Sequence, residues 1–440
     1  MTVSIFAYRF HHLKPVALGL ATAAFPLLLA AAEERRPDAA AELSDRDIVG
    51  PYIAAALVGN PELQAAETRY RAALRTIDSA GALPDPKVQL THFVESVQTR
   101  TGPQRQALSL QQPLPWFGKR GTKRQAARHQ SEALWHAYAR QQLTLADAIS
   151  QQALEVAFLD KALSITQQNT ALLRRLETIV ENKVKAGGAL SDLLKLQVEI
   201  SRFEDTLALQ KTQRTVALAT LQSLLGGSAA SLPVAADWQA PAFDPADEQA
   251  WLDAILGRSP QLAMLRALAQ SQEAKERLAR FASKPDLTLG LNYIRTGDPP
   301  AAAAPDSGKD PWAIMVGVSL PIWSKANHAI ALQASLESEA MEAEIRGLEL
   351  KLVARGETLL AQLADSQARV RRYQGTLLPL ARQAQEISVS SYQSGKASIL
   401  ELIDSERALL TLETEYWRAA ADAWQARWSL ATLAGGLWLP

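Results

Sequence analysis

The chain of 440 residues contains no cysteine. This absence excludes structural disulfides, thiolate metal ligands, a catalytic thiol and a lipid-modified N-terminal cysteine. An excess of charge of either sign is also missing, since 46 Lys and Arg residues balance 46 Asp and Glu residues. Composition therefore gives no electrostatic argument for a nucleic-acid partner. Beyond residue 32, no apolar run comes near the roughly eighteen residues that a membrane-spanning helix requires.

Local signatures of an enzyme are missing as well. The four methionines are scattered, no phosphate-binding loop occurs, and no nucleophile lies in a local motif with a base. His129, Glu132 and His136 share one helical face at spacings that could hold a metal. A metal site in a helical bundle normally needs a matching set on another helix, which His328 does not supply. We therefore interpret these residues as structural and expect neither an enzyme nor a bound cofactor or metal.

The first 32 residues have the pattern of a secretory signal. Two basic residues precede a mostly apolar run, Val16–Leu29, and the alanines at 30–32 offer a small-residue cleavage site. The alternative is a membrane anchor, which the shortness of this run and the break at Pro26 disfavour. We expect residues 1–32 to be removed and residues 33–58 to form a loosely packed N-terminal arm with one short helix.

A short motif occurs twice and divides the remaining chain into two similar halves. Leu114–Lys119, LPWFGK, aligns with Leu320–Lys325, LPIWSK, at an offset of 206 residues (320 − 114). Asn60 and Ser259 are capping residues that each precede a proline, which predicts a helix start in both halves. A repeat of this length indicates two copies of one supersecondary unit. The predicted segments are a first repeat at 59–227, a linker at 228–258, a second repeat at 259–436 and a tail at 437–440.

Each repeat contains two runs with apolar residues at alternate positions. The pattern is clearest at Leu287–Tyr293 and Ile314–Leu320, and proline, which cannot donate to a sheet, follows the second run. Runs of about ten residues have the length of a tilted membrane strand, and soluble hairpins are the alternative. The predicted strands cover about 87–97 and 106–113 in the first repeat and about 286–295 and 312–320 in the second.

Long helical patterns follow both strand pairs. The first contains no proline and would be about 100 Å long at 1.5 Å per residue, whereas its counterpart contains Pro379, which predicts a kink. Glycine turns and return helices come next, and paired glycines end each return helix. A return helix stacked on the short helix that opens a repeat would nearly match a long helix. The predicted helices are 118–186, 190–225, 325–394 and 398–434.

Four strands are too few to close a membrane barrel, since the smallest known ones have eight strands. Several chains would therefore have to share one barrel. Aromatic side chains favour the two surfaces of a membrane, and the chain offers a group near each end of the predicted strands. Trp116, Phe117 and Trp323 would mark one interface, and Tyr293 and Trp312 the other.

The order of these elements resembles that of the TolC-type outer-membrane efflux channel family. The resemblance covers nearly all of the chain after the signal, as helix, strand, strand, long helix, glycine turn and return helix, twice over. LPWFGK and LPIWSK look like the family's strand-to-helix junctions, and KAGGALSDLL and QSGKASILEL look like its periplasmic tip turns. The resemblance implies a mainly α fold with membrane β structure. Three chains would each give four strands to one twelve-stranded β-barrel, continued by a long coiled-coil-like α-barrel.

The resemblance also implies partners. They are two further copies of the chain in a homotrimer, outer-membrane lipid, a periplasmic adaptor that docks on the tips, and an inner-membrane pump. A glycine turn between amphipathic helices suits docking of other helices, and a plain hairpin turn is the alternative. The residues expected at the docking site are Gly187, Gly188, Ser191, Asp192, Gly395 and Ser398.

An acidic gate is implied on the last tip helix, in a pattern like D-x-x-D. Glu401 and Asp404 match this pattern, with glutamate at the first place. Threefold repetition would turn them into two carboxylate rings, which is a physical basis for cation preference and block. The alternative is a pair of solvated acids on a helix surface.

These features predict a passive exit duct in the outer membrane of a Gram-negative-type cell, extending into the periplasm. The adaptor would open it, and a pump driven by proton-motive force or ATP would feed it. The PWFGKR motif resembles that of family members from heavy-metal resistance systems. Metal cations are therefore the favoured substrate class, ahead of drugs and other small organic compounds. The rivals are a soluble periplasmic helical scaffold or adaptor and a metalloenzyme built on the bundle.

Overall fold

The computed structural model describes residues 48–227, 238–239, 248–298 and 308–436. The predicted signal, residues 33–47 of the predicted N-terminal arm, most of the predicted linker and the C-terminal tail lie outside these residues. The fold is mainly helical, with one antiparallel sheet of four strands. The first repeat contains α1 (Gly50–Gly59), α2 (Pro61–Ala80), β1 (Lys87–Thr99), β2 (Gly102–Leu114), α3 (Lys119–Lys185) and α4 (Leu190–Leu224). The second contains α6 (Pro260–Arg280), β3 (Leu287–Thr296), β4 (Trp312–Val318), α7 (Ser324–Arg372), α8 (Leu378–Gln393) and α9 (Ile399–Leu433), and it is preceded by α5 (Glu248–Arg258), a helix at the end of the predicted linker.

The sheet has the strand order β1-β2-β3-β4, so β2 joins β3 across the two repeats and β1 and β4 are the edges. In this register the apolar side chains of the strands lie on one face of the sheet. Leu110 pairs with Leu291, which in turn pairs with Ile314. These side chains are exposed, with Ile314 at 83%. The sheet of one chain therefore has an apolar surface and two unpaired edges.

The first hairpin is tighter than its sequence predicts. β1 continues to Thr99 and β2 begins at Gly102, so the turn is Arg100–Thr101 instead of the expected 98–105. The register of the ladder shifts between His92 and Val97. A bulge changes the face on which successive side chains lie, which explains why the alternation is weak in this run.

The return helices stack end to end on the short opening helices, as predicted from the helix lengths. The end of α4 lies against the start of α2, where Asn60 Nδ2 donates to the carbonyl of Leu224 at 2.8 Å. A Cβ at Gly226 would lie 2.3 Å from the carbonyl oxygen of Gly59, and one at Gly435 would lie 2.4 Å from that of Arg258. Both glycines have positive φ. Only glycine allows these close backbone contacts.

The break expected at Pro379 takes the form of a π-helical turn, Tyr373–Leu377, between α7 and α8. The amide of Leu378 donates to the carbonyl of Tyr373, five residues earlier. Proline lacks an N–H, and its ring clashes with the carbonyl four residues before it. The wider turn removes that clash while the helix continues.

The helix α1 is packed more tightly than expected for the N-terminal arm. Tyr52, Ile53 and Ala56 are almost fully buried, in a cluster that also contains Ile149 and Trp428. Apolar side chains at these positions cover the long helices where the two repeats meet, so α1 belongs to the core. None of the described helices has a stretch that is both long enough and apolar enough to cross a membrane.

Asn60 caps α2 as predicted, and it should contribute measurably to stability. Its Oδ1 accepts hydrogen bonds from the amides of Glu62 at 2.9 Å and Leu63 at 3.1 Å. We expect Asn60→Ala to lower the free energy of unfolding in detergent by about 1–2 kcal/mol. Ser259 holds the equivalent place in the second repeat but makes no side-chain cap. Ser259→Ala is the matched control and should lower the free energy of unfolding by less than Asn60→Ala, because it removes no cap. Equal losses would contradict this assignment.

Candidate functional site

The two tip turns, which join α3 to α4 and α8 to α9, share one backbone hydrogen-bond pattern. The amide of Gly188 donates to the carbonyl of Lys183 at 2.9 Å, and that of Lys396 donates to Ser391 at 2.8 Å. This pattern satisfies carbonyls at the helix end and reverses the chain within a few residues. Of the predicted docking residues, Asp192 is half-buried, and the exposed ones are Gly187, Gly188, Ser191, Gly395 and Ser398.

One lysine connects the two turns. Lys183 Nζ donates to the carbonyl of Tyr392 at 2.6 Å and lies 4.0 Å from the centre of its ring. Burial raises the pKa of the Tyr392 hydroxyl, and the charge of Asp192 raises it further. Both turns therefore lie at the same end of the helices. Beneath them is the tip cluster, formed by Leu173, Leu176, Val180, Leu196, Ile200, Phe203, Tyr392, Ile399, Leu402 and Ile403.

The predicted gate acids lie on the exposed side of α9. Ser398 Oγ accepts a hydrogen bond from the amide of Glu401 at 3.2 Å, which caps this helix. Glu401 is exposed, and the side chain of Asp404 is 72% exposed. Leu402 and Ile403, between them in sequence, are buried in the tip cluster. The helix thus buries its apolar side and presents both carboxylates on the other, as the i, i+3 spacing requires.

A buried ion pair joins the two repeats close to these acids. Glu199 of α4 has a side chain only 4% exposed, and Arg407 Nε of α9 donates to its Oε1 at 2.6 Å. Arg407 Nη2 also donates to Oε2, and Arg202 Nη1 lies 3.5 Å from the same oxygen. A buried carboxylate is costly unless it is paired and hydrogen-bonded. Arg407, which also lies 3.7 Å from Asp404, therefore fixes α9 against α4 beside the tip.

Glu406, the neighbour of Arg407, is completely buried. Gln385 Nε2 of α8 donates to its Oε1 at 2.6 Å, and within the described part of the chain Oε2 has no hydrogen-bond partner. Burial raises the pKa of this carboxyl, the hydrogen bond from Gln385 opposes the rise, and the charge of Glu413 adds to it. The α8–α9 pair therefore contains an acid that holds its proton more tightly than an ordinary glutamic acid.

At the other end of the helices, one aspartate holds the junction between sheet and helix. Asp286 Oδ1 accepts from the amide of Trp116 at 2.8 Å, and its Oδ2 accepts from Lys119 Nζ at 2.8 Å. The backbone of Asp286 also bonds to Ser319, which follows β4. Asp286 thereby connects the LPWFGK motif of the first repeat to the sheet of the second.

The five aromatic residues form groups at the two ends of the sheet. Trp116 and Phe117 contact edge to face with ring centres 6.0 Å apart, and Phe117 is 80% exposed. Trp323 is likewise exposed at this end. At the hairpin end, Tyr293 and Trp312 pair across β3 and β4, also with centres 6.0 Å apart. The apolar face of the sheet lies between these groups.

The histidines of α3 form a local contact. His129 Nδ1 lies 2.9 Å from Glu132 Oε2. Burial lowers the pKa of His136, and the charge of Glu132 opposes this effect. Among the residues that the structure describes, no three His, Asp or Glu side chains are placed to hold a metal.

The family model described as "Outer membrane efflux protein" matches residues 52–227 and 251–436, which are the two repeats. The chain belongs to the outer membrane efflux protein family. Membership places the protein in the outer membrane, extending into the periplasm, and favours a channel over the soluble scaffold.

Two relatives of this efflux protein differ in the extent of their match. It is 23% identical to the cobalt-zinc-cadmium resistance protein CzcC of Cupriavidus metallidurans over 425 residues, 95% of this chain and 98% of CzcC. It is 24% identical to the pyoverdine export outer membrane protein OpmQ of Pseudomonas putida over 306 residues. That match covers 67% of this chain but only 63% of OpmQ, so the chain spans less than two thirds of the length of this relative.

Solved structures of outer-membrane channels share the fold. The outer-membrane channel OprN superposes with a TM-score of 0.75 at 18% identity, covering 89% of this chain and 91% of OprN. CusC gives 0.75 at 20% identity, with coverages of 88% and 92%. VceC of Vibrio cholerae gives 0.74 at 19% identity, with coverages of 88% and 96%. At these identities the agreement establishes the mainly α fold with four antiparallel strands.

Several important residues of the efflux protein were not predicted from the sequence. The Pro-Asp pair at residues 285–286, directly before β3, was not predicted to have a role in the junction, although Asp286 is the anchor of the junction. Its repetition at Pro84-Asp85 was the available signal. Glu199 and Glu406 carry no such signal, because an isolated acid on a long helix is usually solvated. Their burial depends on which helices meet there.

The raised pKa of Glu406 predicts a pH dependence of stability. The folded state holds this proton more tightly than the unfolded chain, so the stabilisation present below the ordinary value of 4.5 is lost as pH rises through the raised folded pKa. Glu406→Gln keeps the neutral form, and its advantage over wild type in thermal unfolding should grow with pH. Gln385→Leu removes the opposing hydrogen bond and should enlarge the loss. Parallel pH profiles for wild type and Glu406→Gln would refute the prediction.

Proposed function

We propose that the protein is the passive exit duct of a tripartite efflux system, formed by three copies. A periplasmic adaptor opens the duct, and an inner-membrane pump supplies both substrate and energy. The observation that carries this proposal is a sheet with an apolar face and two unpaired edges, joined to helices that end in two adjacent turns. The backbone N–H and C=O groups at an unpaired strand edge can hydrogen-bond to a strand of another chain. Head-to-tail contacts whose rotation closes produce a ring.

The two faces of the sheet support a wall between lipid and water. One face carries apolar side chains between two aromatic groups. The opposite face carries small or uncharged polar side chains in one row, with Gln89 paired to Ser109 and Ser109 to Asn292. The difference between the faces matches a surface toward hydrocarbon and a surface toward a water-filled lumen. Trp116, Phe117 and Trp323 then lie at one lipid surface, and Tyr293 and Trp312 at the other.

The tip turns are suited to the adaptor. Their exposed residues are small, and exposed leucines lie beside them: Leu190 at 59%, Leu194 at 54% and Leu400 at 48%. Small residues allow close approach of helices, and leucines supply apolar area for docking. A docked adaptor at Gly187 and Gly395 would act directly on α9, which carries the gate acids.

The gate acids and the relatives together support metal cations as substrates. Three copies of Glu401 and Asp404 give two rings of exposed carboxylates, which attract cations and repel anions. CzcC, named for cobalt, zinc and cadmium resistance, aligns over nearly its whole length, whereas the pyoverdine exporter OpmQ aligns over part of its length. Metal cations are therefore the favoured cargo, and small organic compounds, among them pyoverdine, are the second class. We also propose that the protein acts without enzymatic activity of its own.

Removing the gate carboxylates should change conduction. We expect Glu401→Gln with Asp404→Asn to lower the ratio of cation to anion permeability in planar bilayers. Block by multivalent cations should weaken at least about tenfold, because a loss of about 1.4 kcal/mol of attraction corresponds to that factor. Glu386→Gln, another exposed acid, on α8, is the control and should behave like wild type. A double variant with unchanged selectivity and block would remove the acidic gate from the proposal.

The cargo can be tested in cells. Loss of the protein should raise the cellular content of cobalt, zinc or cadmium after exposure to that metal, and re-expression should reverse the rise. Elemental analysis of washed cells measures it, and magnesium content is the internal control. Unchanged content of all three metals, with retention of a small organic compound instead, would shift the cargo to the second class.

A further inference from the structure

The duplication makes a specific prediction about how one copy of the chain contacts the next. Residues of β1 correspond to β3 at an offset of 201, as Asp85 to Asp286, and residues of β2 and α3 correspond to β4 and α7 at an offset of 206. The strand registers agree with the two offsets taken together. Val88 pairs with Leu110 in the first hairpin, and the corresponding residues, Leu289 and Val316, pair in the second.

Between the repeats, the structure shows one complete junction. Lys119, the cation of the LPWFGK motif, donates to Asp286 at 2.8 Å. The adjacent strands β2 and β3 meet here, with Leu114 opposite Leu287. The first repeat therefore supplies the motif and its lysine, and the second supplies the aspartate.

The equivalent junction of the second repeat is incomplete within one chain. Its lysine is Lys325 of the LPIWSK motif, and the corresponding aspartate is Asp85. Both are exposed, and neither side chain has an ion pair or hydrogen bond with any part of the chain that the structure describes. They lie beside β4 and β1, the opposite edges of the sheet, which are about 14 Å apart across three strand spacings.

We infer that Asp85 of one copy binds Lys325 of a neighbouring copy, as Asp286 binds Lys119 within one chain. The inference rests on the proposed ring of three copies, to which it adds a register and an ion pair. Applying the offsets to the β2–β3 ladder pairs Val318 with Val88 of the second copy, since Gln112 pairs with Leu289. Each copy then completes the junction of its neighbour, and the same aspartate–lysine pair occurs at every junction of the ring.

The register can be tested by cross-linking, because the wild-type chain has no cysteine. Val88→Cys with Val318→Cys places the two sulfurs on residues directly opposite across the contact, within the range for a disulfide. Oxidation should give covalent dimers and trimers on a non-reducing gel. A disulfide within one chain is excluded by the separation of the two edges. His92→Cys with Val318→Cys is the control with the same number of cysteines. Residue 92 lies about 13 Å along the strand from the position opposite Val318, so this variant should give no covalent dimers or trimers.

The ion pair is tested by exchanging charges. Asp85→Lys or Lys325→Asp should speed dissociation of the detergent-solubilised trimer about tenfold, because three like-charge contacts replace three attractive ones. Asp85→Lys with Lys325→Asp should restore the wild-type rate. Asp85→Lys with Lys87→Asp has the same net charge and should not restore it.

The outcomes separate this inference from the proposed function. A trimer that conducts, yet cross-links no better at 88/318 than at 92/318, overturns the register and leaves the duct intact. A correct cross-link without rescue in the charge exchange overturns the ion pair. A wild-type chain that remains monomeric in outer-membrane extracts overturns both the proposed duct and the inference.

Discussion

The architecture depends on the point where a strand continues into a helix, and one carboxylate holds that point. Strands satisfy their backbone groups through neighbouring strands, whereas a helix satisfies its own except at its two ends. Asp286 accepts from the amide of Trp116 and from Lys119 at the start of α3. Because this aspartate and this tryptophan are 170 residues apart, the same contact fixes the direction of α3 and joins the repeats.

From this junction to the tip, the helices of each repeat have matching lengths. The long helix α3 has 67 residues, and α4 and α2 have 35 and 20. Stacked through the close contact at Gly226, the two shorter helices give a column nearly as long as α3, at 1.5 Å per residue. In the second repeat, α9 meets the start of α6 through the same kind of close contact at Gly435. Two columns of similar length can then pack side by side from the sheet to the tip.

The sequence predicted regular features well and exceptions poorly. Alternation placed β3 and β4, and capping residues and glycines placed the helix ends within a few residues, because these signals are local. The bulge after His92 breaks the alternation, so β1 and β2 were predicted too short. The gate and docking residues were proposed from resemblance, and the structure places them at one tip. Glu199, Arg407 and Glu406 escaped prediction because burial of a charge is decided by the neighbouring helices.

The two copies of the repeat are most informative where they differ. At an offset of 209, Glu401 corresponds to Asp192, but Asp404 corresponds to Lys195, which lies 4.0 Å from Asp192. The first tip helix therefore begins with an acid and its own counter-charge, whereas the second begins with two acids. Arg407 lies near Asp404 but also binds the buried Glu199, so its charge is shared. In the proposed ring of three copies, this difference would concentrate the unpaired negative charge of the tip helices on α9, as the proposed acidic gate on the second repeat requires.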